Sequence, residues 1–134
     1  MGDVGSALAA VGIEPARIHT ERFASRSPIN PGVVRADAPA PHQPSGPPGA
    51  GPAVTFARSG LTSAWSDSYV SVLELAEACD VPTRWSCRTG VCHTCVTAVL
   101  SGEASYETPP LETPGDDELL ICSARPTADL VLDL

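Results

Sequence analysis

From Ala53 onward the apolar and polar positions fall into two kinds of rhythm. Val54 and Phe56 alternate with Thr55 and Ala57, the period of a strand with one buried face. Arg58-Ser59-Gly60 interrupts the run and Leu61 to Trp65 can return beside it, so a hairpin is expected. The period then changes. Ser68 or Ser71 can cap a helix in which Val72, Leu75, Ala76 and Cys79 share one face, with Glu74 and Glu77 turned to water and Pro82 stopping it. Further on, Cys95 to Leu100 is β-rich and ends at a turn at Ser101-Gly102. Asp117 to Cys122 carries Leu119, Leu120 and Ile121, and Leu130, Val131, Leu132 and Leu134 close the chain as a last strand. The sum is an α+β fold, a mixed sheet covering a helix, with an irregular loop between the helix and the later strands.

Upstream of Ala53 the rhythm is lost. Eight of the fourteen prolines lie between Pro28 and Pro52, a stretch without apolar periodicity that reads as a semi-extended linker over residues 28–52. It separates a short N-terminal piece, residues 1–27, from a domain at residues 53–134. Charge divides the same way. Residues 1–52 carry four acids and four arginines, whereas residues 53–134 carry twelve acids and four arginines, so the net charge of −8 belongs to the C-terminal domain. Such an acidic surface opposes nucleic acid and anionic membranes and suits basic protein surfaces, as well as plain solubility. Glu112, Asp116, Asp117 and Glu118 form its densest patch. There is no signal peptide or membrane-spanning stretch, and a cytoplasmic location is expected.

Cysteine spacing changes the picture most. Cys87, Cys92 and Cys95, with Cys122 after 26 intervening residues, follow the C-x4-C-x2-C…C arrangement of plant-type [2Fe-2S] centres. Two irons bridged by two sulfides need four thiolates to complete two tetrahedra, and three of them must converge from one short loop. Gly90 sits in the middle of that loop, where positive φ lets main-chain N–H groups approach sulfur. Other chemistries account for less. Zinc sites usually pair two short C-x2-C or C-x4-C units. A redox dithiol at Cys92-His93-Thr94-Cys95 leaves Cys87 and Cys122 unexplained. Five cysteines cannot all pair as disulfides, and a Rieske centre needs two histidines where only His93 is near. Cys79 has no spacing role and reads as a small buried hydrophobe. No acid, base or nucleophile constellation appears elsewhere.

Trp85-Ser86-Cys87-Arg88-Thr89-Gly90-Val91-Cys92-His93-Thr94-Cys95 and Leu120-Ile121-Cys122-Ser123-Ala124-Arg125-Pro126 resemble the cluster motifs of plant-type [2Fe-2S] ferredoxins. Residues 53–134 are thus similar to a β-grasp ferredoxin domain. More closely they resemble the C-terminal domain of oxygenase-type reductases of the phthalate dioxygenase reductase kind, including MOSC-fused flavin reductases. Ala7 to Ile13 and Pro15 to Phe23 are similar to the last helix and strand of such a reductase's nucleotide-binding domain, too little to bury a core alone. No Arg-x-Tyr-Ser flavin signature or Gly-rich loop accompanies them.

That resemblance implies a [2Fe-2S] cofactor held by Cys87 and Cys92 on the outer iron and by Cys95 and Cys122 on the inner one. It implies one-electron transfer at a potential of roughly −400 mV from a flavin-containing, NAD(P)H-dependent reductase to an acceptor such as an oxygenase. The chain would be an electron-transfer component, not catalytic alone. Amides from Arg88 to Thr94 would donate to sulfur and raise the potential. His93 stands where many relatives have a small residue, often Gly, and reads as an exposed side chain. Arg88 could screen the cluster, meet a partner or stay solvated. Trp85 and Tyr106 read as shielding and core filling. The competing class is a zinc- or thiol-stabilised binding module without redox work.

Overall fold

The computed structural model describes residues 10–12, 14 and 39–134. Apart from residues 10–12 and 14, the helix–strand reading of Ala7 to Phe23 lies outside the described residues, as does the first part of the Pro-rich segment.

The expected hairpin forms. β1 (Ala53–Phe56) and β2 (Leu61–Ala64) pair antiparallel with Phe56 opposite Leu61, and Gly60 closes the turn at φ +63° with its N–H on Ala57 O. The other strands are β3 (Val96–Ser101), β4 (Ala104–Tyr106), β5 (Glu118–Leu120), β6 (Ala124–Pro126) and β7 (Leu130–Leu132). Five of them form one mixed sheet in the order β2-β1-β7-β3-β5. The chain's last strand therefore lies at the centre, parallel to β1 with Val54 beside Leu130, and antiparallel to β3 across an irregularity at Val99/Ser101. A second, two-stranded ribbon joins β4 to β6.

One helix, α1 (Val72–Ala78), packs on the sheet. Its Val72, Leu73, Leu75 and Ala76 are buried with Val54 and Phe56 of β1, Leu120 and Ile121 at β5, and Leu130 and Leu132 of β7. The helix starts where the sequence reading allowed, without the expected side-chain bond, and ends earlier than it expected. Ser71 is the N-cap, but its hydroxyl caps nothing; the Glu74 carboxylate reaches back to the Val70 N–H at 2.7 Å. The helix also stops before Pro82. Asp80 takes φ +53°, its N–H bonds Glu77 O and the Val81 N–H bonds Ala76 O, a Schellman ending with an aspartate in the usual glycine place.

Residues 39–52 lie against the domain. The His42 N–H donates to Cys79 O at the helix end, the Gln43 side-chain amide to Thr62 O, and the Gly51 N–H to Trp65 O. Gly49 approaches so closely that a Cβ there would fall 2.0 Å from Trp65 O. No helix among the described residues is long and apolar enough to cross a membrane.

Candidate metal centre

The loop from Trp85 to Cys95 has no regular structure, and its shape is set by three left-handed residues: Arg88 (φ +56°), Gly90 (φ +70°) and His93 (φ +55°). Only the glycine was expected. The effect is to turn main-chain N–H groups inward. The amides of Thr89 and Cys92 both lie 3.4 Å from Cys87 Sγ, and the Cys87 amide lies 3.5 Å from Cys92 Sγ. Thr94 Oγ1 is 3.2 Å from Cys92 Sγ. A side chain at position 90 would press on Ser123 Oγ at 3.0 Å and Pro110 at 3.3 Å, because the β5–β6 connection and the 107–117 loop close over it.

The four spaced cysteines come together as two pairs. Cys87 and Cys92 share the amide bonds just described and lie toward solvent, Cys92 being exposed. Cys95, just before β3, and Cys122, just after β5, are buried and act on one another. Antiparallel pairing of β3 and β5, with Val96 opposite Leu120, brings this second pair together across 26 residues. Among the described residues no three His, Cys, Asp or Glu side chains are grouped to hold a single metal ion.

Thiol acidity follows the geometry. Burial pushes the Cys87 thiol up, but the Thr89 hydroxyl and the amides of Thr89, Cys92 and Val91 outweigh it and draw it down to about 6. Cys122 is drawn down to about 7, first by the Cys95 thiol, against burial, with help from the Gly90 amide and Ser123 hydroxyl. Cys95 moves the opposite way, held protonated by its bond to Cys122 and by burial. Each pair thus carries one thiol ready to ionise, which suits a site that must present thiolates to iron. Among the described residues Arg88 Nε is buried without a hydrogen-bond partner.

Neighbouring residues are more engaged than the sequence suggested. Arg88 is neither solvated nor free for a partner: it pairs with Glu77 of α1 through both guanidinium nitrogens and stacks 3.6 Å above the Trp85 ring. Glu77 accordingly does not simply face water. His93 is half-buried, its Nε2 3.1 Å from Glu112 O, which ties the loop to the acidic segment. Ser123 stands within the second cysteine motif but was given no role of its own, since a serine after a cysteine carries no pattern. Tyr106 fills the core edge, its hydroxyl accepting the Leu120 N–H at 3.1 Å. Cys79 is fully buried, its thiol pushed up by burial, as a core residue apart from the two pairs. Glu112, Asp116, Asp117 and Glu118 are all exposed.

Comparison with known proteins agrees with this geometry. The chain is 34% identical over 130 residues to a phenoxybenzoate dioxygenase subunit beta of Ectopseudomonas oleovorans, covering 94% of this chain and 35% of that protein. It is 38% identical over 86 residues to a phthalate dioxygenase reductase of Burkholderia cepacia, covering 60% of this chain and 26% of the other. The solved structure of a phthalate dioxygenase reductase superposes with a TM-score of 0.55 at 27% identity, across 99% of this chain and 37% of that one. The chain therefore spans about a third of the length of these relatives. A family model described as the 2Fe-2S iron-sulfur cluster binding domain matches residues 57–127, more than half of the chain and the whole span of the four cysteines. With two thiol pairs wrapped in main-chain N–H groups inside that span, the chain belongs to the family of 2Fe-2S iron-sulfur cluster binding domains.

Proposed function

We propose that Cys87, Cys92, Cys95 and Cys122 are the ligands of the [2Fe-2S] cluster, the first two on the outer iron and the last two on the inner. The observation that carries this is the sorting of four thiols into two pairs, one toward solvent and one buried, with no grouping among the described residues suited to a single ion. It favours a two-iron centre over the zinc reading, because a lone zinc needs all four thiolates around one point. A bound cluster supplies one-electron redox chemistry. The protein's part is to offer thiolates, to aim the Thr89 and Cys92 amides at sulfur so that the more negative reduced state is favoured, and to keep water from the inner pair with Leu120, Ile121 and Tyr106.

The function is then one-electron transfer, with a flavin-containing, NAD(P)H-dependent reductase as donor and an oxygenase-type protein as acceptor. Relatives named as a dioxygenase subunit and a phthalate dioxygenase reductase support that pairing. So does a solved protein described as NdmA of Pseudomonas putida CBB5 with the ferredoxin domain of NdmD, at a TM-score of 0.54 and 25% identity. The mixed sheet with its packed helix supports a β-grasp topology for residues 53–134. The near full-length matches support reading residues 1–27 as the end of a nucleotide-binding domain and 28–52 as a linker. The acidic segment around Glu112 borders the outer pair through His93, a placement suited to a basic partner.

Visible absorption together with iron and labile-sulfide assays tests the assignment. Wild-type protein should be coloured, with iron and sulfide in equal amounts. Cys122→Ser should lose or severely disturb the spectrum, while Cys79→Ser leaves it intact. Colourless protein carrying zinc and no sulfide would sink the proposal.

A further inference from the structure

Arg88 joins two features that seldom coincide, a left-handed backbone and a heavily engaged side chain. At φ +56° a residue with a Cβ is strained, so something must hold it there. The side chain is 18% exposed; Nη1 lies 2.9 Å from Glu77 Oε2, Nη2 meets Oε1, and Cζ sits 3.6 Å over the Trp85 ring. Glu77 is itself fixed, since α1 is anchored by four buried residues and closed by the Asp80 ending. The fork and the ring therefore hold the Arg88 side chain together, and the fork ties it to the helix. The next amide, that of Thr89, is one of those aimed at Cys87 Sγ, and its direction follows from the ψ and φ on either side. Were Arg88 to relax to negative φ, this donor would turn away.

We propose that Arg88, held by Glu77 and Trp85, is a positioning residue of the cluster loop: it acts through the Thr89 amide, setting the reduction potential and the retention of the cluster, and its charge is not the operative property. The inference rests on the ligand assignment proposed above.

Charge and position make opposite predictions for Glu77→Gln. Removing a negative charge near the centre raises the potential by Coulomb's law. Releasing the clamp lowers it, because the reduced state loses a donor. Arg88→Lys is the second variant. It keeps the charge but offers neither a bidentate fork nor a planar stack, so the clamp predicts the behaviour of Glu77→Gln and the charge account predicts the behaviour of wild type. The full chain carrying its cluster is titrated by spectroelectrochemistry, and cluster loss to a chelator is timed. Tryptophan fluorescence of the cluster-free protein, in a Trp65→Phe background so that Trp85 alone emits, reports the stack independently of any redox readout. A lower potential in both variants, cluster loss accelerated by about tenfold and altered Trp85 emission are expected. A raised or unchanged potential in Glu77→Gln, or wild-type behaviour of Arg88→Lys, overturns the inference and leaves the ligand assignment standing. Should either variant fail to fold, the other still decides. Wild-type chain that takes up no cluster overturns both.

Discussion

Gly90 shows how much one backbone angle decides at the residue scale. At φ +70° beneath Ser123 and Pro110 it has neither the conformational freedom nor the room for a side chain. Gly90→Ala should destabilise the domain by about 1–2 kcal/mol from the left-handed strain alone, read as a lower midpoint in thermal unfolding, and should slow cluster uptake. The glycine was legible because its place in the cysteine loop and its chemistry agree. His93 was not. A histidine at φ +55° gives no sign of itself in a sequence, and its bond to Glu112 O depends on where the 107–117 loop folds back. The resemblance implied a small residue, often Gly, at this position, and a left-handed backbone here suits that expectation. Arg88 was open to three readings because the residue that claims it, Glu77, is on another element.

Elements were legible where a period could be counted. The β1–β2 hairpin, the buried face of α1 and the last strand each repeat an apolar position at least twice. β4 and β6 have three residues each and pair only with one another, so no period could reveal them. The stop of α1 was misplaced because Pro82 is the stronger signal in sequence, while the Asp80 ending depends on main-chain bonds to Ala76 and Glu77. Helix α1 is only seven residues long, too short to persist alone, and its stability comes from packing. Leu75 is fully buried at the centre of its face. Leu75→Ala should therefore cost about 2–5 kcal/mol, seen as a shifted urea midpoint. Because α1 anchors Glu77, cluster loss should quicken in parallel.

At the scale of the whole molecule the Pro-rich segment is the main surprise. Its described part, residues 39–52, is a strap along the domain, not a free tether. His42 fastens it: Nε2 lies 2.7 Å from Asp80 Oδ2 and Nδ1 lies 2.6 Å from Gln43 O, two acceptors that only a doubly protonated ring can satisfy. The ring's pKa is raised, first by the Gln43 carbonyl and then by Asp80. A raised folded value means the contact stabilises fully below the ordinary 6.5 and is lost as pH rises through the folded value. NMR titration should show the Gly51 amide and the His42 ring moving together as pH climbs past that point, and His42→Gln should remove the response at Gly51. An unchanged Gly51 signal across the range would dissociate the strap from His42. The amino-acid sequence by itself determined the cofactor class, since the thiolate count and the loop that gathers three of them are local properties written in spacing. It determined the strands of the five-stranded sheet and the helix face, which follow from a period, and the uneven charge. Tertiary structure alone decided that Cys122 meets Cys95 through β3–β5 pairing, that Glu77 clamps Arg88, and that the strap lies against Trp65 and Asp80. Each is a contact between residues far apart in the chain, whose free energy exists only once the sheet and helix have brought both partners to one place.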